Sequence, residues 1–183
     1  MRGREEHDYY ATPYESTRAL FARVSFEGDH FLEPCCGGGH ICRIIKETYP
    51  NAQITAIDKY DRGYGETGID FLTYTPNELY DNVITNPPFV LAQEFIEHSL
   101  ELVREGGKVA MFLKIQFLEG VKRKSFFDKN PPRYIYVFRA RQSPWLSGNP
   151  VDEKGKPWSS TMCFAWYIFE KGFIGEPIIR WID

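Results

Sequence analysis

The chain has 183 residues, 43% hydrophobic and 26% charged, so one hydrophobic core is expected and two independent domains are not. Lys+Arg 22 against Asp+Glu 25 leaves a net charge of −3, which excludes a polycation that holds nucleic acid by bulk charge; any such contact must be local. Aromatic residues at 16% exclude a disordered chain and leave rings for a binding face as well as a core.

In chain order, Met1-Arg-Gly-Arg-Glu-Glu-His-Asp8 lacks the apolar region of a signal peptide. The longest apolar runs, such as Val109 to Leu113, fall far short of the roughly 20 residues of a spanning helix. A cytoplasmic protein without a membrane partner is expected. Thr12-Pro13-Tyr14-Glu15 starts a helix, with Thr12 as cap, Pro13 in the first turn and Glu15 completing a capping box; Leu20, Phe21 and Val24 continue its apolar face. Residues 30–32 read as a strand ending at Glu33-Pro34. Gly37-Gly38-Gly39 forms a turn, and a helix follows with Ile41, Ile44, Ile45 and Tyr49 on one face.

Residues 53–57 read as a second strand that delivers Asp58 to its carboxyl end, and a short third strand is expected around Ile69-Asp70-Phe71. Residues 82–85 are the fourth, followed at once by Asn86-Pro87-Pro88-Phe89. A helix carries Phe95, Ile96, Leu100 and Val103 and ends at Gly106-Gly107; residues 108–113 are the fifth strand. Residues 118–129 read as helix, and 134–138 and 162–169 as two more strands. Between those two lies a long loop, 141–161, rich in Gly, Pro, Ser and Trp; loops of that length tend to be functional or mobile. The alternation predicts a single α/β domain over 1–183. Its mostly parallel sheet would have seven strands, the last two forming an antiparallel pair at one edge.

In such a sheet ligands bind beyond the carboxyl ends of the strands, where Glu33, the glycine turn, Asp58, Asp70 and Asn86 all fall. Gly37-x-Gly39-x-x-Cys42 nearly fits a dinucleotide loop, but Glu33 would be an unfavourable neighbour for a pyrophosphate and suits an ammonium instead. The two prolines after Asn86 fix φ and remove donors, so the stretch presents acceptors. The Asn86 side-chain oxygen beside the Pro87 carbonyl suits an exocyclic NH₂, and Phe89 supplies a ring for a planar base; the plainer alternative is a turn that merely stops strand pairing.

Glu33-Pro34-Cys35-Cys36-Gly37-Gly38-Gly39, Asp58, Asp70-Phe71 and Asn86-Pro87-Pro88-Phe89, in that order, resemble the class I S-adenosylmethionine-dependent methyltransferases, specifically their N6-adenine DNA group. Tyr9-Tyr10-Ala11-Thr12-Pro13 resembles that group's N-terminal Thr-Pro segment. The ending, with Trp166 through Gly172, Gly175-Glu-Pro177 and Trp181, is similar to compact phage- or prophage-encoded members. The resemblance implies a Rossmann-like methyltransferase fold, S-adenosylmethionine as cofactor and adenine N6 in DNA as target, with RNA adenine or a catalytically silent nucleic-acid-binding subunit as alternatives. It implies that Glu33 holds the cofactor ammonium, that Gly37 and Gly39 let the backbone approach, and that Asp58 accepts the ribose hydroxyls. Asp70 would accept from the adenine amino group beside Phe71, although it can also simply cap a turn. Tyr10 and Thr12 would cover the carboxylate end, with Pro13, Pro34 and Cys35 in the same cofactor-contacting segments. Asn86, Pro87, Pro88 and Phe89 would be catalytic, orienting the amino nitrogen and stacking the base.

Of the four cysteines, Cys35, Cys36 and Cys42 crowd together, a poor layout for disulfides, and a reduced compartment fits. Adjacent cysteines on a tight turn do not easily reach one tetrahedral ion, even with His40 nearby, so no metal is expected. A Pro34-Cys35 nucleophile of the cytosine C5 type is misplaced, since it would follow the fourth strand. His7, His30 and His98 read as ordinary polar positions. From Lys114 to Arg141 eight basic residues stand against Glu119 and Asp128. Lys122, Arg123, Lys124 and Arg141 are therefore candidates for phosphate contact, or a solvated face. Trp145 and Trp158 could stack bases or cover the sheet edge. No segment reads as a separate target-recognition domain, so the 141–161 loop reads a short site, specificity is relaxed, or a partner chain supplies it.

Overall fold

Residues 9–183 are described by the computed structural model; the expectations for His7 and the rest of residues 1–8 lie outside them. The elements are β1 (Tyr10–Ala11), α1 (Tyr14–Phe21), β2 (His30–Glu33), α2 (His40–Thr48), β3 (Gln53–Asp58), β4 (Glu66–Thr67) and β5 (Tyr80–Thr85). They continue with α3 (Ala92–Leu102), β6 (Val103–Lys114), α4 (Lys124–Lys129), β7 (Tyr134–Phe138), β8 (Trp145–Leu146), β9 (Phe164–Glu170) and β10 (Ile178–Ile182). One eight-stranded sheet has the order β10-β7-β9-β6-β5-β2-β3-β4, and β1 pairs with β8 in a separate two-stranded ladder. Neighbours from β4 to β6 run parallel, β9 is antiparallel to both β6 and β7, and β10 is parallel to β7.

The core follows from the period-two pattern of strands covered on both faces. Along β6, Val109, Met111 and Leu113 pack with Phe95 and Ile96 of α3, while Ala110 and Phe112 pack with Leu20 of α1 and Ile41 and Ile45 of α2. β9 repeats the division, with Tyr167 and Phe169 on the α3 face and Trp166 and Ile168 on the other. The Trp166 Nε1 donates to the Ser16 carbonyl at 2.8 Å, so this buried indole is satisfied as well as packed.

The mostly parallel α/β sheet is as the sequence predicts, with one strand more. Residues 178–182 add β10 beside β7; Ile178, Ile179 and Trp181 stay exposed, so no in–out alternation marks the segment. The third strand lies earlier than expected, at Glu66–Thr67, because Asp70 caps a 3₁₀ turn over Phe71–Thr73. Val103 belongs to β6, where it pairs with Tyr80; Gly106, at φ 75°, lies where the β5–β6 register is irregular rather than closing the helix. The expected helix over 118–129 is divided by Gly120, at φ 124°, into two 3₁₀ turns and α4. No side chain caps α1. Its N-cap is Pro13, and Glu15 pairs instead with Arg18 at 2.7 Å, so the capping box is absent. Among the described residues no helix is long and apolar enough to cross a membrane.

Candidate active site

The order β3-β2-β5-β6 sets the carboxyl ends of four parallel strands side by side, and a cleft of about 550 Å³ opens beside them. Its wall includes Tyr10, Cys35, Asp58, Asn86, Pro87, Pro88 and Phe89, which are thereby brought together from four segments of the chain. Tyr9, Tyr60, Arg62, Lys114, Met162 and Phe164 also line it, with Trp158 from the long loop.

The glycine turn is tied to the end of β3. Asp58 Oδ2 accepts from the Gly37 amide at 2.8 Å and Oδ1 from the Tyr60 amide at 2.9 Å. The Gly38 amide donates to the Tyr9 hydroxyl at 2.8 Å, and that hydroxyl lies 3.1 Å from His40 Nδ1. Gly37 has φ 49°, and a Cβ there would fall 2.2 Å from the Tyr9 ring; at Gly39, φ 76°, it would fall 2.5 Å from the Tyr64 ring. Glycine is thus required on two counts, left-handed backbone and ring contact. Glu33 and Pro34 are buried beneath the turn, off the cleft wall. Glu33 Oε2 accepts from the Cys42 amide at 3.0 Å and the Cys42 thiol at 2.7 Å. Burial holds its carboxyl well above the usual carboxylate range, against the lowering effect of those bonds. Burial also pushes up the thiols of Cys35, Cys36 and Cys42.

β1 crosses the site as a strap. Asn86 Nδ2 donates to the Tyr10 carbonyl at 3.0 Å, and the Ser147 amide donates to the Tyr9 carbonyl at 2.8 Å, so the strap joins the Asn-Pro-Pro-Phe segment to the long loop. Just beyond it Thr12 Oγ1 is buried without a hydrogen-bond partner, and Pro13 turns the chain into α1. After Pro88 the chain makes a 3₁₀ turn over Phe89–Leu91, closed by the Leu91 amide on the Pro88 carbonyl at 2.9 Å. The Phe89 ring lies 6.0 Å from Phe164, with Lys114 Nζ 4.8 Å from its centroid.

Other sequence candidates stand elsewhere. Asp70 accepts from the Leu72 amide at 3.1 Å and pairs with Lys59 at 2.8 Å, which with the amide bond holds its carboxyl below the usual range. Phe71 is in the core, its ring 4.8 Å from Phe95. Lys122, Arg123, Lys124 and Arg141 are off the cleft wall. Arg123 lies over Phe117 at 4.8 Å, and Lys124 pairs with Asp128 at 2.5 Å. Trp145, in β8, packs edge-on to Tyr14 at 5.5 Å and His40 at 5.7 Å. No group of three His, Cys, Asp or Glu side chains is gathered for a metal among the described residues. Sequence reasoning gave no role to Tyr60, Arg62, Met162 or Phe164. Position just beyond Asp58 was the available signal for the first two; Met162 and Phe164 carried none, because their strand reads as core.

No protein-family model matches the chain. It is 25% identical over 194 residues to the type II methyltransferase M.CvrRI of Paramecium bursaria Chlorella virus XZ-6E, covering 79% of this chain and 51% of the relative. Among solved structures, it matches the type I restriction-modification methyltransferase subunit of Streptococcus thermophilus with TM-score 0.69 and 12% identity, over 97% of this chain and 48% of the other. It also matches a Listeria monocytogenes protein assigned to the class I S-adenosylmethionine-dependent methyltransferases, with TM-score 0.63 and 15% identity, over 98% and 68% of the two chains. The chain therefore spans about half the length of the viral relative and of the streptococcal subunit. Strand order, the cleft at the strand ends and these matches agree that the chain has the class I S-adenosylmethionine-dependent methyltransferase fold.

Proposed function

We propose that the chain is an S-adenosylmethionine-dependent N-methyltransferase acting on the N6 amino group of adenine in DNA. One observation carries the reading: Asn86-Pro87-Pro88-Phe89 lines the same cleft as Asp58 and the Tyr10 strap, so an amino-group acceptor and a cofactor share one space. The residues present fit the cofactor. Thr12 Oγ1, a buried hydroxyl lacking a partner, suits a carboxylate; the buried Glu33 carboxyl provides for an ammonium from beneath the turn. Asp58, at the end of β3, suits a ribose diol, and Tyr9 and Cys35 would wall the site. When bound, S-adenosylmethionine supplies an electrophilic methyl group on its sulfonium.

The chain's own work is positioning and desolvation. The Nδ2 bond to Tyr10 fixes the Asn86 amide, so that Oδ1 and the Pro87 carbonyl are the acceptors for the two amino hydrogens. Phe89 and Phe164 offer apolar walls to a planar base. The exposed Lys122 and Lys124, on the segment that follows β6, suit backbone phosphates together with Arg141. The restriction-modification names of the viral and streptococcal relatives support DNA as substrate and a partner chain for target recognition.

The test is incubation of the full chain with labelled S-adenosylmethionine and duplex DNA, single-stranded DNA, RNA or protein, followed by identification of the labelled product. N6-methyldeoxyadenosine is expected. Label in RNA adenine would move the substrate to RNA, and label only in protein, or in nothing, would overturn the reading.

A further inference from the structure

The sheet ends on β10 as an open edge, with β7 and β9 between it and β6, and none of its residues lines the cleft. The Ile178 amide donates to the Arg133 carbonyl at 3.2 Å and the Arg139 amide to the Ile182 carbonyl at 3.0 Å, so the even-numbered residues turn their backbone groups toward β7. By the alternation of a strand, the amides and carbonyls of Ile179 and Trp181 and the carbonyl of Pro177 point outward. Among the described residues no backbone bond reaches them. The side chains are as open as the backbone: Ile178, Ile179 and Trp181 are 44%, 51% and 58% exposed. Sheet edges are commonly guarded by lysine or a bulge, yet β10 has no lysine and keeps a regular register with β7. Its one charge, Arg180, lies back over the Tyr134 ring at 5.8 Å.

An open apolar edge is completed by another strand, and Glu176-Pro177-Ile178-Ile179-Arg180-Trp181 is complementary to itself. About a two-fold axis normal to the sheet, two copies of β10 run antiparallel and facing residues share one face of the sheet. With the axis at Ile179, that residue faces its own copy and Trp181 faces Pro177 of the other chain. The amides of Ile179 and Trp181 then each meet an outward carbonyl, and the proline, which lacks an amide, costs no donor. Ile178 opposes Arg180, and Glu176 lies diagonally beside that guanidinium. Glu176 is exposed and enters no ion pair among the described residues, so on each side of the axis it supplies the charge that Arg180 lacks. Other registers do worse. An axis at Arg180 sets two guanidinium groups face to face, and one at Ile178 sends the Trp181 amide to Gly175, outside the strand. We propose that the chain binds a second copy of itself through β10, edge to edge about Ile179, in a closed dimer. One sheet runs through both copies, and the two clefts open at its opposite ends.

The experiment is sedimentation velocity of the full chain over a range of concentrations at low salt, with expected mass rising to twice that of the chain and no further. Ile179→Lys, which sets two ammonium groups together at the axis, should sediment as a monomer with the wild-type circular dichroism spectrum. Charge reversal tests the register. Glu176→Arg and Arg180→Glu should each raise the dimer Kd by about 3- to 30-fold, as for two exposed ion pairs turned repulsive, and the double reversal should restore it. Should Ile179→Lys fail to fold, cross-linking decides instead: Ile179→Cys should form an intermolecular disulfide on mild oxidation, whereas Ile178→Cys and the wild type, with its own Cys35 and Cys163, should not. A monomer at every concentration, open-ended aggregates, or a dimer indifferent to Ile179→Lys and to both reversals would overturn the proposal. So would a double reversal no tighter than the single ones, or cross-linking at position 178 in preference to 179.

Discussion

Removing the Asp58 carboxylate tests how the glycine turn is held. In Asp58→Ala the Gly37 and Tyr60 amides, at 2.8 and 2.9 Å, both lose a charged acceptor. Bonds of this kind are worth roughly 1.5–3 kcal/mol each, and partial exposure lets water replace some of it, so a total near 3 kcal/mol is expected. For a chain of this length that is a fall of about 6–12 °C in Tm. Asp58→Asn should lie between wild type and alanine, since its one oxygen can serve a single amide while its NH₂ confronts the other. Thermal unfolding by circular dichroism measures both, and calorimetric titration with S-adenosylmethionine should show affinity reduced about 10- to 100-fold in the alanine variant, a ribose acceptor having gone. If Asp58→Ala melts within about 1 °C of wild type, the carboxylate is not what ties the turn to β3. If it destabilises but leaves cofactor affinity intact, the ribose assignment is wrong.

Asn86→Ala should slow single-turnover methyl transfer by about 100-fold or more, in line with loss of a positioned group at the reacting centre, while cofactor affinity changes far less; a wild-type rate would remove Asn86 from the chemistry. Glu33→Gln tests the buried carboxyl. With its folded pKa raised by burial, the protonated form favours the fold, so its stabilising effect is complete below the ordinary carboxylate range and is lost as pH rises through the raised value. Tm recorded from acid to neutral pH should therefore decline less steeply in the glutamine variant than in wild type, and parallel curves would show that Glu33 titrates normally.

What could be read from the sequence was whatever rests on local pattern. Strand ends and their polar residues followed from short apolar runs stopped by Glu33-Pro34, Asp58 and Asn86-Pro87, and these positions reach one end of the sheet as expected. Thr12 shows the limit: by composition it is a helix cap, but its hydroxyl is buried without a bond, because Pro13 takes the cap position. Asp70 has two local uses, Leu72 and Lys59, that need no cofactor. Trp145 could not be placed from spacing, since its position depends on β8 pairing with β1 across more than a hundred residues. Tyr9 acquires its place over the glycine turn by the same long-range pairing. Contacts between remote segments leave no periodicity in either partner, which is why the strap, the loop it carries and the far side of the cleft were not legible.

The place of β9 between β6 and β7 has a consequence for how the chain assembles. β6 is complete at Lys114 and β7 at Phe138, yet neither pairs with the other; both wait for Phe164–Glu170. During synthesis the apolar run Val109–Leu113 must therefore leave the ribosome with one edge open until most of the chain has followed. High contact order of this kind slows folding and exposes strand edges to wrong pairing. A nascent chain halted before residue 164 should be prone to aggregation and chaperone capture, and released chains should gain protease resistance in one late step, when the last-made central strand closes the sheet.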